Sequence, residues 1–195
     1  MKSVIGSDRI ATLNWSPPGA SGDDELLIRA NKNPNTRGLD ALGLPADGLD
    51  GLAAAVASGE LKMLIAFRAD LVRALGEEEF VRRFGALDYM LVLSTDANET
   101  CQMANQVWPI AAYPEIDGSF TNFKGRVQRI NAAFPPPGNA IAGIEAIARL
   151  GQALDGKEHP HNADVIFTAL AAAEPAFKGL SLATLGEHGI DLASS

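Results

Sequence analysis

Val107-Trp108-Pro109-Ile110-Ala111-Ala112-Tyr113-Pro114-Glu115-Ile116-Asp117-Gly118-Ser119-Phe120-Thr121-Asn122-Phe123-Lys124-Gly125-Arg126-Val127-Gln128-Arg129 is the stretch on which the fold turns. An apolar run carrying a proline leads into an acidic turn and then into two short runs of β-type residues. That order reads as a strand whose exit loop folds back on itself. Gly118 and Gly125 can supply positive φ or a close backbone approach, and Phe120 and Val127 are the expected buried anchors.

Upstream, Met63-Leu64-Ile65-Ala66-Phe67 and Tyr89-Met90-Leu91-Val92-Leu93 are continuous apolar runs. This is the pattern of strands covered on both faces. Gln106 to Ile110 makes a third. Helices are expected over Asp70 to Leu75, Glu77 to Phe84 and Ala97 to Ala104, the last capped by Ser94-Thr95-Asp96. Another, Leu49 to Ala57, stops near Gly59. Strands alternating with helices predict parallel pairing and right-handed crossovers. The fold class is therefore α/β, with a small parallel Rossmann-like sheet. No G-x-G-x-x-G follows a strand, so the fold alone carries no dinucleotide claim. Glu77, Glu78 and Glu79 open their helix and Arg82 and Arg83 close it. That order suits the helix dipole and reads as a solvated face.

The flanks divide the chain into three: a loop-rich segment 1–48, the α/β domain with its strand-exit hairpin 49–134, and a Pro-rich connector with C-terminal helices 135–195. In the first, Ser16 to Asp24 is turn-like, Leu26-Leu27-Ile28 suggests a short strand, and Asn31-Lys32-Asn33-Pro34-Asn35-Thr36-Arg37-Gly38 reads as a connector or as a loop lining a pocket. In the last, Pro135-Pro136-Pro137 is a stiff spacer. A helix from Asn139 to about Leu154 puts Ile141, Ile144, Ile147 and Ala148 on one face. Further helices are expected over Ala163 to Ala172 and Ser181 to Gly186, a layer that packs on the sheet or on a partner.

A length of 195 residues with 47% hydrophobic content suits a domain with its own core. The net charge of −8, with scattered basic residues, argues against nucleic acid as a partner. Cys101 is the single cysteine. It can form no intramolecular disulfide and cannot alone hold an iron–sulfur cluster. It reads as a buried structural thiol rather than a nucleophile, because His159, His161 and His188 lie far away in sequence. His159-Pro160-His161 lacks a third ligand and reads as a surface loop, so no metal site is expected. No signal peptide is visible, and no run of about 20 apolar residues could span a bilayer.

The stretch quoted first resembles the molybdopterin oxidoreductase family, in which a VVLP strand leads to E-x-D-G-T-F-T-N-x-E-G-R-V-Q. Within that family it is most similar to the G-type branch found in bacterial NADH-quinone oxidoreductase. Two further runs fit: Arg29 to Gly38 against R-A-D-K-N-P-N-x-R-G, and Leu185-Gly186-Glu187-His188-Gly189 against L-G-E-H-G. The resemblance implies part of a molybdopterin oxidoreductase body with a helical C-terminal layer, corresponding to a C-terminal portion of such a subunit. It also implies partners among the other subunits of the peripheral arm, a cytoplasmic location at the inner membrane through that complex, and a structural role supporting electron transfer from NADH to quinone. No catalytic residue is expected in this chain and no cofactor bound by it. Iron–sulfur clusters would belong to the parent subunit.

In molybdenum-containing relatives this half of the fold helps cradle the nucleotide of molybdopterin guanine dinucleotide. The matching positions are Asp96, Glu99 and Thr100 in one loop and Asp117 and Asn122 in another. Carboxylates can accept from guanine, and Thr or backbone N–H groups can hold phosphate. The expectation here is a structural vestige of that site. Gly118, Phe120, Asn122, Gly125, Arg126 and Gln128 form the structural motif, with Arg126 and Gln128 satisfying loop carbonyls. Three positions depart from the family pattern: Asn105 replaces Asp, Trp108 replaces Leu, and Lys124 replaces an acid. The alternatives are a lobe of a molybdopterin-dependent oxidoreductase completed by another chain, and an independent small-ligand binding module.

Overall fold

The computed structural model describes residues 9–16, 19, 22–26, 28–44 and 48–192. Three apolar strands, β1 (Met63–Phe67), β2 (Tyr89–Ser94) and β3 (Gln106–Pro109), form a parallel sheet in the order β1-β2-β3. The register runs from Met63↔Tyr89 to Phe67↔Leu93 and from Leu91↔Gln106 to Ser94↔Pro109. The central strand is the most buried: Met90, Leu91, Val92 and Leu93 are each at most 3% exposed. Burying such side chains stabilises by about 1.5–3 kcal/mol each.

Alternation along β2 sends Met90 and Val92 to one face and Leu91 and Leu93 to the other. The first face is covered by helices α2 (Leu49–Ala57), α3 (Leu71–Leu75) and α4 (Glu77–Phe84), through Val56, Leu71, Val72, Phe80 and Phe84. Cys101 packs at its margin, half-buried, with its thiol near the Asp96 carbonyl at 3.5 Å. The second face is covered by α6 (Gly143–Asp155), through Ala146 and Leu150. The result is a three-layer α/β/α arrangement.

A second unit grows from the β3 exit. A single 3-10 turn (Tyr113–Glu115) leads to the antiparallel hairpin β4 (Gly118–Thr121) and β5 (Arg126–Ile130), and β6 (Ile190–Asp191) pairs with β5. Val127, fully buried, packs with Phe167 of α7 (Ala163–Ala173), Phe177, Leu182 and Leu185. Ala41 of α1 (Thr36–Ala41) and Leu42 join this cluster, so it gathers segments from all three sequence divisions.

Several sequence expectations give way here. Phe120 is half-buried, and Thr121 takes the inner place at 4% exposure. The register explains it: Phe120 faces Gln128 and Thr121 faces Val127, so a period of two cannot put Phe120 and Val127 on one face. Gly118 is extended rather than left-handed, and an added methyl would meet only Ile130, at 4.0 Å. The helix after β2, α5, is only Glu99–Gln102, and its cap is Asn98 rather than Ser94-Thr95-Asp96. The helix expected from Asn139 starts at Gly143, because Ile141 forms a parallel bridge with Ile110 and its carbonyl accepts from Ala111 N–H at 2.8 Å. Ser181 to Gly186 is a series of turns, fixed by reciprocal hydrogen bonds between Ser181 and Thr184. Leu26 and Ile28 are exposed and outside any strand. Ile28 N–H donates instead to the Asp24 carboxylate at 2.7 Å, and Leu27 lies outside the described residues, as do Pro17, Pro18, Ala20 and Ser21 of the turn-like stretch.

Gly143 permits the closest approach between α6 and the sheet. A Cβ there would stand 2.6 Å from the Phe67 ring, whereas one at Gly51 on α2 would meet nothing within 4 Å. Gly143→Ala is therefore expected to destabilise by about 1–3 kcal/mol through overpacking. Gly51→Ala is expected to stabilise by up to about 1 kcal/mol through helix propensity. Urea unfolding midpoints of the two variants check the opposite signs.

Candidate functional site

Ligands of open α/β sheets bind at the carboxyl ends of the strands. In this chain those ends are Arg68 to Asp70, Ser94 to Thr100 and Ile110 to Asp117. Arg68 holds φ +52°, a left-handed conformation that is costly outside glycine. Two hydrogen bonds hold it there: Arg68 N–H donates to the Leu93 carbonyl at 2.9 Å, and its guanidinium reaches across the sheet to the Ala111 carbonyl at 2.5 Å. Burial without a described carboxylate partner lowers its pKa from the ordinary arginine value.

The next residues are tied into two small networks. Thr100, fully buried, donates to Asp70 Oδ1 at 2.7 Å and accepts from Val72 N–H at 3.0 Å. Asp70 also caps α3 by accepting from Arg73 N–H at 3.2 Å. Asn98 caps α5 by accepting from Cys101 N–H at 3.1 Å and donates to Ser94 Oγ at 2.9 Å. Ser94 Oγ in turn donates to Asp96 at 3.1 Å. Glu99 stands in the first turn of α5.

In the second loop Asp117 accepts from Ala132 N–H at 3.0 Å. Asn122 organises the hairpin tip by accepting from Lys124 N–H at 2.9 Å and Arg126 N–H at 3.1 Å, while Gly125 takes φ +84°. This is a three-residue hairpin loop with its glycine in the left-handed position. Arg126 does not satisfy loop carbonyls: it forms a bidentate pair with Asp191 of β6, at 2.7 and 2.8 Å. Gln128 is exposed, and its side-chain carbonyl accepts from the Asn122 amide at 3.4 Å. The Asp96–Thr100 and Asp117–Asn122 loops are thus each closed on their own neighbours.

The loop Asn31 to Gly38 is fixed to this hairpin. Asn35, at φ +63°, accepts from Thr121 N–H at 2.8 Å, and Arg37 donates to the Phe123 carbonyl at 3.4 Å. A Cβ on Gly38 would fall 2.5 Å from Asn35 Oδ1 and 3.0 Å from Thr121 Oγ1, so glycine permits the clamp. Gly189 plays the same part at the tail, where a Cβ would lie 2.3 Å from the Val127 carbonyl. Asn105 keeps an acceptor where the family pattern has a carboxylate, taking Met90 N–H at 2.7 Å. His159 pairs with Asp155 at 3.1 Å, and among the described residues no group of three potential ligands could hold a metal ion.

A molybdopterin oxidoreductase model matches residues 10–153. The chain belongs to the molybdopterin oxidoreductase family. It is 33% identical over 107 residues to the alpha subunit of F420-dependent formate dehydrogenase 1 from Methanococcus maripaludis, covering 54% of this chain and 16% of that protein. It is 27% identical over 146 residues to the second G-type subunit of NADH-quinone oxidoreductase from Rhizobium meliloti, covering 74% and 17%. It is 28% identical over 123 residues to the alpha subunit of NADPH-Fe(3+) oxidoreductase from Geobacter sulfurreducens, covering 63% and 15%. The matched regions thus span less than a fifth of each of these relatives. No helix among the described residues is long and apolar enough to cross a membrane.

The family makes a pterin dinucleotide the group to test against these strand ends. Segments 68–72, 94–100 and 110–117 contain Asp70, Asp96, Glu99, Glu115 and Asp117 against one cation, Arg68. Among the helix N-terminal amides that could take phosphate, Arg73 N–H is already bonded to Asp70, Cys101 N–H to Asn98 and Val72 N–H to Thr100. A carboxylate such as Asp96 suits a guanine edge, but this donor set does not fit a pyrophosphate. Both Asp70 and Thr100 are legible as strand-end candidates, but nothing local in the sequence marks the hydrogen bond that joins them thirty residues apart.

Removing the Thr100 hydroxyl orphans Val72 N–H. Thr100→Val is expected to destabilise by about 1–3 kcal/mol, read as a lower urea midpoint. The Arg126 guanidinium holds Asp191 below the usual carboxylate range. Its contribution to stability is present above the ordinary Asp range and is lost as pH falls through the lowered value. Arg126→Gln should return the Asp191 titration midpoint, followed by carboxyl NMR shifts, to the ordinary range.

Proposed function

We propose that this chain acts as a packing segment of a redox subunit of the NADH-quinone oxidoreductase G type, supporting electron transfer without holding a cofactor. One observation carries the reading: the polar groups at the strand ends are spent on each other. Thr100 with Asp70, and Asn98 with Ser94 and Asp96, form two closed networks, and both helix N-termini are capped from within. A site built to exchange a charged ligand would keep donors aimed outward. Asp96, Glu99, Thr100, Asp117 and Asn122 then hold loops in shape. Gly125 and Asn122 shape the hairpin tip, and Arg126 fastens the C-terminal tail. The likeness to a G-type relative over 74% of the chain supports the choice of branch. Other subunits of a peripheral arm are the partners this reading implies, at the cytoplasmic face of the inner membrane.

A second reading is favoured by Arg68. Its strained backbone and partly desolvated guanidinium stand at the ligand edge of the sheet, and formate dehydrogenase alpha subunits are among the relatives. Here the chain is one lobe of a molybdopterin-dependent oxidoreductase completed by further sequence.

Affinity isolation of the tagged protein from its native membrane extract separates the two. Expected is co-migration on a native gel with an NADH dehydrogenase band containing cluster-bearing subunits, and no molybdenum or guanine nucleotide in the preparation. Molybdenum with guanine nucleotide in that assembly, and no NADH activity, would replace the first reading with the second.

A further inference from the structure

We draw no further inference here: the strongest candidate, the uncharged and largely exposed segment 131–139 with Phe134, tied beside the turn that carries exposed Tyr113 by the Ala133 N–H bond to the Pro114 carbonyl, is an apolar surface patch, and nothing in the structure shows what covers it.

Discussion

Every layer of this protein answers to β2 being buried on both faces. A strand with Met90 and Val92 on one side and Leu91 and Leu93 on the other, all but withdrawn from water, has no solvent side. It must be flanked by strands and sandwiched by helices. The crossovers β1–α3–α4–β2 and β2–α5–β3 advance in one direction and place their helices on one face. The opposite face is left for an element from elsewhere in the chain. That element is α6, which arrives only after the hairpin. The Ile110–Ile141 bridge guides its approach, and Gly143 lets it settle on Phe67.

The two closed networks at the strand ends follow from the same geometry. α3 and α5 both begin just beyond the sheet, so Asp70 and Asn98 cap them and Thr100 joins them. Once these groups satisfy each other, the acidic strand ends hold five carboxylates beside one arginine. The pterin-dinucleotide chemistry of the wider family has little to grip there. The hairpin, by contrast, keeps its tip open, with Phe123 and Lys124 facing solvent.

The three strands and the helices over 49–57, 70–75, 77–84 and 163–172 were legible, because uninterrupted apolar runs and strong periodicity leave few alternatives. The family was legible from the Phe-Thr-Asn and Gly-Arg-Val-Gln block. What escaped were features set by pairing rather than by pattern. Phe120 looks like a core residue until the register with Gln128 is known. Ile141 fits a helical face, yet a sheet edge about thirty residues earlier claims it. Arg126 has its partner sixty-five residues away, so no local reading could name Asp191. Asn35 and Gly38 belong to a run that read as connector or pocket lining. Their use is to lock against Thr121, which is visible only in three dimensions.

The late arrival of α6 has a consequence for synthesis on the ribosome. Residues 49 to about 110 can close one face of the sheet as soon as they emerge. Leu91, Leu93 and Ile110 then stay uncovered while the whole hairpin and the proline connector are translated. During that interval the nascent chain presents an apolar sheet face, the kind of surface on which holding chaperones act and on which newly made chains associate. The order of elements along the chain thus makes the second face of the sheet its most vulnerable surface before folding is complete.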